Sequence, residues 1–297
     1  RVRRILIWVA VVVALLAGGV AWVFVSRDGA FIVANLPRFV FPGDISQDLV
    51  FDTETGLALD IYTPKDAEGA PVSVFFYGGS WQIGERGNYA FVAMTLAREG
   101  FVVALPDYRK FPDVRFPAFV EDGARAIAWL RENVATFGGD PERMYLSGHS
   151  AGAHIAMLLA MDESYLAAEG AAGAVKGVSG LAGPYHFTPT AEDTMAIFGP
   201  PERYPLMQAG NYVDGGEPPV QMQYGLSDET VGYANIERLG APLEASGVCH
   251  GEVLYDDLSH VQIVADFAWP YRGGSSVPDD MVAFFRAIEA GGACPGG

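Results

Sequence analysis

One pentapeptide, GHSAG at residues 148–152, constrains the fold of this 297-residue sequence more than any other feature. It stands between a β-type apolar run, Met144–Ser147, and a helical run, Ala151–Met161. A serine on such a strand-to-helix turn needs glycine around it, because the backbone turns sharply and the helix packs closely against the strand. The chain contains 36 glycines, so the pentapeptide alone is weak evidence and its surroundings decide its meaning.

The surroundings show strand-like and helix-like runs in alternation. Strands are predicted at 47–52 and 57–62, which form a hairpin, and at 72–77, 101–105, 144–147, 175–179, 220–224 and 252–255. Helices are predicted at 88–99, 118–137, 151–161, 233–245 and 279–290, with Asn88 as an N-cap. The alternation predicts one α/β domain over residues 45–292, with a mainly parallel central sheet and helices on both faces. The long segment 183–219 is predicted as a cap over an acyl pocket, with ordinary surface packing as the alternative.

The N-terminus carries a separate signal. Arg1, Arg3 and Arg4 precede an uninterrupted run of apolar or small residues from Ile5 to Val25. Such a run is long enough to cross a bilayer as a helix. We therefore expect a basic cytoplasmic tip at 1–4, a transmembrane anchor at 5–25, a juxtamembrane linker at 26–44 and a domain outside the cytoplasm, periplasmic or extracellular. A cleaved signal peptide is the alternative, and it would give a secreted protein.

Charge and cysteine content narrow the range of partners. The net charge of −17 repels phosphates, so nucleic acid is not an expected partner. The histidines and cysteines lack metal-ligand spacing, so neither a metal nor another cofactor is expected. Cys249 and Cys294 form an even pair in a compartment that permits disulfides, and either a bridge or two free thiols fits the sequence.

A serine nucleophile needs a base, and chain order selects one among the five histidines. Where a nucleophilic serine lies on such a strand-to-helix turn, the chain order is serine, acid, and then a histidine on the loop after the last strand. His260 follows the last predicted strand, whereas His250 precedes that strand and His186 comes too early. His149 and His154, on either side of Ser150, are predicted to be packed residues rather than catalysts.

The acid is expected just after the penultimate strand, where Asp228 lies in the segment GLSDETV. Asp256 and Asp257 are the alternative candidates for the acid, but they lie at the end of the strand that His260 itself follows. Ser150, Asp228 and His260 are therefore the predicted catalytic triad. Asp107 and Arg109 are expected to form a structural ion pair or turn rather than a catalytic pair.

An oxyanion hole requires backbone N–H donors near the nucleophile. One is expected from Ala151, directly after Ser150, and another from the loop in FFYGGSW at 75–81. Glycine in this loop, at 78 and 79, lets the main chain approach a substrate closely.

Together these motifs resemble α/β-hydrolases of the esterase/lipase group that carry H-G-G-G or H-G-G-x-W, including bacterial carboxylesterases and kynurenine-formamidase-like enzymes. The segments ALPDYRKFP, FGGDPERMYLSGHSAGAH and GLSDETV are similar to the group's in order and spacing, over residues 45–290. The resemblance implies that Gly79 and Ser80 act with Ala151 in the oxyanion hole, with Gly78 as an alternative. Tyr77 replaces the group's usual histidine, and its O–H is expected to brace the loop. Tyr77 and Trp81 are predicted to line the substrate pocket.

The predicted function is a serine hydrolase that cleaves carboxylic esters of small molecules through an acyl-enzyme intermediate. An amide or formamide hydrolase would use the same triad. A catalytically inactive, hydrolase-like binding ectodomain is the third reading, although an inactive site has no physical reason to keep the complete triad.

Overall fold

A computed structural model gives the structure of residues 27–269 and 271–291. None of the helices in these two ranges is long and apolar enough to cross a membrane. The predicted tip at 1–4 and anchor at 5–25 lie outside the described residues, as does Cys294. The anchor and the pairing of Cys249 with Cys294 therefore stay predictions.

Eight strands form one sheet in the described residues. The strands are β1 (Asp44–Asp52), β2 (Leu57–Thr63), β3 (Ala70–Phe76), β4 (Val102–Pro106), β5 (Gly139–His149), β6 (Val175–Leu181), β7 (Val220–Gly225) and β8 (His250–Tyr255). Their order is β1-β2-β4-β3-β5-β6-β7-β8, and only the β1–β2 and β2–β4 pairs are antiparallel. All eight predicted strands are present, and the sheet is mainly parallel as predicted.

The helices connect these strands. They are α1 (Arg27–Asn35), α2 (Ala90–Arg98), α3 (Ala118–Asn133), α4 (Ala151–Met161), α5 (Ser164–Ala168), α6 (Glu192–Phe198), α7 (Ala234–Ala245), α8 (Gln262–Ala265) and α9 (Val277–Glu289). Short 3₁₀ helices cover Leu36–Val40, Arg86–Tyr89, Val134–Phe137, Pro201–Met207 and Ala209–Tyr212.

Helices cover both faces of the sheet, as the β-strand register shows. Tyr145 pairs with Ser73 across β5 and β3, so Phe76, three residues after Ser73, points to the opposite face. The ring of Tyr145 packs on Phe285 of α9, with centroids 4.8 Å apart. On the other face, a Cβ added to Gly123 of α3 would touch Phe76 at 3.2 Å. The buried side chains between these layers form one core.

Two local predictions differ from the structure. Residues 26–44, predicted as a linker, contain α1 and the 3₁₀ helix Leu36–Val40. Asn88 does not cap a helix: it lies in the 3₁₀ helix Arg86–Tyr89, and α2 begins at Ala90 without a side-chain cap. The carbonyl of Asn88 instead accepts a hydrogen bond from Nδ2 of Asn35, which ties α1 to the domain.

Candidate active site

Ser150 occupies a sharp turn between β5 and α4. Its backbone has φ 54° and ψ −120°, a conformation that side-chain-bearing residues rarely adopt. The glycines on either side permit the turn: a Cβ on Gly152 would collide with the carbonyl oxygen of Phe76, and one on Gly148 would collide with Gly152. The turn holds the Ser150 hydroxyl at the C-terminal edge of the sheet, where the N-terminus of α4 also points.

The structure brings Ser150, His260 and Asp228 into one hydrogen-bonded chain. The hydroxyl of Ser150 lies 2.9 Å from Nε2 of His260, and Nδ1 of His260 lies 2.7 Å from Oδ2 of Asp228. The partner of His260 is thus Asp228, not Asp256 or Asp257. Such a chain fixes the imidazole with a proton on Nδ1, which leaves Nε2 free to accept the serine proton.

The environment of Asp228 keeps it ionised. Burial raises the pKa of this carboxyl, but the hydrogen bonds from His260 and from the backbone N–H groups of Val231 and Thr230 outweigh that effect. The net result is a pKa below the usual value. An ionised carboxylate at this position can stabilise a protonated imidazole at His260.

The loop after β3 lies opposite the nucleophile. Gly79, Ser80 and Trp81 all have positive φ (140°, 53° and 59°), so the loop turns tightly. Gly79 and Ser80 line the same cavity as Ser150 and His260. Within the described residues, no hydrogen bond engages the N–H groups of Gly79 and Ser80, and that of Ala151 is at the start of α4, where helical N–H groups lack partners. These N–H groups are available to an anionic oxygen.

His149, which precedes the nucleophile, contacts the base directly. Its Nε2–H donates a 2.8 Å hydrogen bond to the backbone carbonyl of His260, and the two rings lie 4.8 Å apart. Burial, together with the nearby His260, lowers the pKa of His149 to about 3, so its ring is neutral. The sequence predicts a packed residue here, and the structure adds that this residue holds the loop bearing His260.

A cavity of about 430 Å³ opens onto Ser150. One wall comes from α1 through Ala30, Phe31 and Ala34. The other wall comes from the segments after His260, through Val261, Val264, Ala265, Ala268 and Tyr271. Ile83, Tyr89 and Phe91 add further apolar and aromatic surface, which suits an aliphatic or aromatic substituent. Neither wall was foreseen, since both segments lack a catalytic motif.

The predicted cap and pocket residues lie elsewhere. No residue of 183–219 lines the cavity at Ser150. Two aromatic residues of this segment, Phe187 and Phe198, instead pack on Trp81, which is buried. The prediction that 183–219 covers the pocket and that Trp81 lines it is therefore wrong.

Tyr77 is also absent from the cavity lining, contrary to prediction, because it is fully buried behind the loop. Its O–H donates to Asp107 (3.0 Å) and accepts from Nζ of Lys110 (2.8 Å). Burial raises the pKa of this phenol well above the usual value, so it remains a donor. Its contacts brace the base of the loop, which is the role expected of it from the sequence.

The remaining polar candidates are structural. Nε2–H of His154 donates to the carbonyl of Met207 (2.9 Å), which confirms a packed residue. Asp107 and Arg109 do not pair with each other: Asp107 pairs with Arg86, and Arg109 pairs with the buried Asp122. No cluster of three or more potential metal ligands occurs within residues 27–269 and 271–291.

Comparison with known proteins places most of this chain in a family. The BD-FAE family matches residues 59–243, from within β2 to within α7, a range that includes the loop after β3, the turn at Ser150 and Asp228 but not His260. The chain belongs to the BD-FAE family.

Relatives of this BD-FAE chain are named esterases. The isoprenylcysteine alpha-carbonyl methylesterase of Arabidopsis thaliana is 29% identical over 280 residues, which cover 86% of this chain and 65% of that protein. Esterase LipQ of Mycobacterium tuberculosis is 32% identical over 255 residues, which cover 78% of this chain and 59% of LipQ. The chain thus spans 59% to 65% of the length of these two curated relatives.

Solved structures show the fold of this BD-FAE chain. Esterase B from Lactobacillus rhamnosis superimposes with a TM-score of 0.76 at 22% identity, over 95% of this chain and 97% of the other. The shared architecture is the α/β-hydrolase fold, as predicted from the sequence.

Proposed function

We propose that this protein is a serine hydrolase that cleaves carboxylic esters. The observation that carries the proposal is the hydrogen-bonded chain from Ser150 through His260 to Asp228, with distances of 2.9 and 2.7 Å. The names of the relatives, a methylesterase and an esterase, support an ester rather than an amide as the substrate.

The reaction follows from the positions of these groups. Ser150 Oγ attacks the ester carbonyl while Nε2 of His260 takes its proton, and Asp228 stabilises the resulting imidazolium. The backbone N–H groups of Gly79, Ser80 and Ala151 bind the oxyanion. His260 then gives its proton to the leaving alcohol. A water molecule then attacks the acyl carbon while His260 takes its proton. His260 returns that proton to Ser150 Oγ, and the acyl group leaves as a carboxylic acid.

Turnover of 4-nitrophenyl esters with acyl chains of two to twelve carbons tests the proposal, with an N-formyl arylamine as the amide-type substrate. We expect ester turnover, and a loss of kcat of about 10⁴-fold or more in Ser150→Ala and in Asp228→Asn. Ser227→Ala is the matched control, because Ser227 hydrogen bonds the carbonyl of Asp256 and not the triad. Preference for the formamide would favour the amide reading, and no turnover by the folded protein would contradict ester hydrolysis.

We also propose that the catalytic domain lies outside the cytoplasm, tethered by residues 5–25. The support is the order of charges in the sequence, with Arg1, Arg3 and Arg4 ahead of the apolar run. Protease digestion of intact cells or spheroplasts tests it: the domain should be cleaved without lysis. Protection until lysis would contradict it.

A further inference from the structure

Exposed apolar side chains surround the mouth of the Ser150 cavity. Val261 and Tyr271 line the cavity and also face solvent. A groove on one side shares Phe31 with the cavity, and a groove on the other side shares Ala34 with it. The exposed apolar side chains of the cavity mouth and the two grooves form what we call the apolar rim, which consists of Ile32, Leu36, Phe39, Ile83, Val261, Trp269 and Tyr271.

The rim concentrates apolar surface in one place. It holds seven of the thirteen large apolar side chains that are exposed in the described residues. Phe39 is 82% exposed and Trp269 is 65% exposed. Contiguous exposed apolar surface marks an interaction site, and aromatic side chains are favoured where water meets lipid.

The charge around the rim differs in sign from that of the whole protein. The two grooves carry three arginines, Arg38, Arg98 and Arg272, against one acidic residue, Glu85, whereas the full chain has a net charge of −17. Arg272 pairs with Glu99 and also lies 4.0 Å from Asp279, so it contributes little free positive charge. Arg38 and Arg98 are exposed and form no ion pair with any described residue. Guanidinium groups beside apolar surface suit the phosphates of lipid headgroups.

The rim also lies where the chain would meet a membrane. The apolar run at 5–25, which the sequence predicts as an anchor, is separated from α1 only by Ser26. Helix α1 carries Ile32 of the rim, and it also forms a wall of the cavity through Phe31. A tether at residues 5–25 keeps α1, and with it one wall of the cavity, close to the surface of the bilayer.

We propose that the apolar rim docks on the surface of a phospholipid bilayer, so that the cavity receives lipophilic esters with an aliphatic chain directly from the membrane. The identity of the substrate rests on the proposed ester hydrolysis. Docking of the rim on the bilayer does not depend on that activity. The bond changes are those of the ester reaction: Ser150 Oγ bonds to the acyl carbon, the ester C–O bond breaks, and the leaving alcohol takes the proton from His260.

Fluorescence quenching tests docking without turnover. The full chain carries Trp8→Phe and Trp22→Phe, so that Trp81, Trp129 and Trp269 remain, together with Ser150→Ala. It is reconstituted in vesicles of phosphatidylcholine with phosphatidylglycerol, and in vesicles whose phosphatidylcholine is brominated. We expect brominated lipid to quench the fluorescence and Trp269→Phe to remove that quenching, because Trp81 is buried and Trp129 is not a rim residue. Equal fluorescence in the two kinds of vesicle would overturn docking.

The rates of ester hydrolysis test whether the cavity receives its substrate from the bilayer. In the full chain, Phe39→Asp with Trp269→Asp places charge on the rim outside the cavity lining. We expect it to slow hydrolysis of 4-nitrophenyl dodecanoate dispersed in the vesicles by about tenfold, because charge opposes insertion into lipid. Hydrolysis of soluble 4-nitrophenyl acetate should change by less than about twofold, since every catalytic contact is kept.

Met195→Asp with Leu206→Asp is the matched control, because both side chains are exposed and apolar but lie outside the rim. It should leave both rates unchanged. Equal losses on the two esters, or the same loss in the control, would overturn delivery from the bilayer. Failure of the parent protein to hydrolyse the acetate would count against ester hydrolysis instead, and the quenching of the Ser150→Ala chain would still decide docking.

Discussion

At the scale of single residues, the site depends on a second histidine beside the base. His149 holds the backbone of His260 through one buried hydrogen bond and remains neutral. Because its hydrogen bond goes to the backbone carbonyl of His260 and not to Ser150 Oγ or the imidazole nitrogens, we expect it to act as a positioning residue.

His149→Leu removes this hydrogen bond, and we expect kcat to fall about tenfold, with KM changed by less than about twofold. His149→Gln, which restores an N–H donor, should recover most of kcat. His154→Leu is the control, since His154 is equally buried but donates to Met207. Steady-state kinetics on one ester give kcat and KM for each variant. Equal losses of kcat in all three variants would show that His149 has a merely structural role.

At the scale of secondary-structure elements, α1 shapes the substrate pocket. Phe31 packs on Tyr89, with ring centroids 5.9 Å apart, and both rings line the cavity. Asn35 ties the C-terminal end of α1 to the carbonyl of Asn88. We therefore expect α1, a helix outside the catalytic motifs, to limit the length of the acyl chain that the cavity accepts.

Phe31→Ala enlarges the cavity, and we expect the optimum of kcat/KM among the 4-nitrophenyl esters to move to longer acyl chains. Ile32→Ala changes the next residue of α1 without touching the cavity lining, so its optimum should stay in place. Identical chain-length profiles for Phe31→Ala and the parent protein would contradict a role of α1 in the pocket.

The sequence predicts elements of the sheet well because their signals are local. Each strand is an apolar or alternating run, and all eight were found. Helix α1 escaped prediction because its sequence, RDGAFIVAN, has weak helical propensity, and its packing on Tyr89 and Asn88 is a long-range effect. The direction taken by residues 183–219 likewise depends on tertiary contacts, here with Trp81, which no local pattern encodes.

At the scale of the whole molecule, the sequence predicts those parts of the site that follow from chain order and does not predict those that depend on tertiary contacts. Chain order placed His260 after β8 and Asp228 after β7, because parallel strands bring their C-terminal ends to one edge. The bond from His149 to His260 crosses from β5 to the loop after β8, so only the folded sheet shows it.

Two buried neutral histidines make the stability of the fold depend on pH. Burial lowers the pKa of His149 to about 3 and that of His154 to about 4, whereas an unfolded histidine has a pKa near 6.5. Below pH 6.5 the unfolded chain binds protons that the folded chain does not, so stability is full above this pH and is lost as the pH falls.

We expect each histidine to reduce the free energy of unfolding by about 1.4 kcal/mol per pH unit, from below pH 6.5 down to the pKa in the fold. Urea unfolding at a series of pH values measures the slope. The double variant His149→Gln/His154→Gln should lose both contributions to it. An unchanged slope would contradict the neutral state of the two rings.

The central claim is that Ser150 is a nucleophile activated by His260 and Asp228. The most direct measurement is the intact mass of the protein after reaction with a fluorophosphonate, followed by peptide mapping. We predict one added label on Ser150, none in Ser150→Ala, and labelling slowed by about 10⁴-fold in Asp228→Asn. A folded protein that stays unlabelled, or that carries the label on another residue, would contradict the claim.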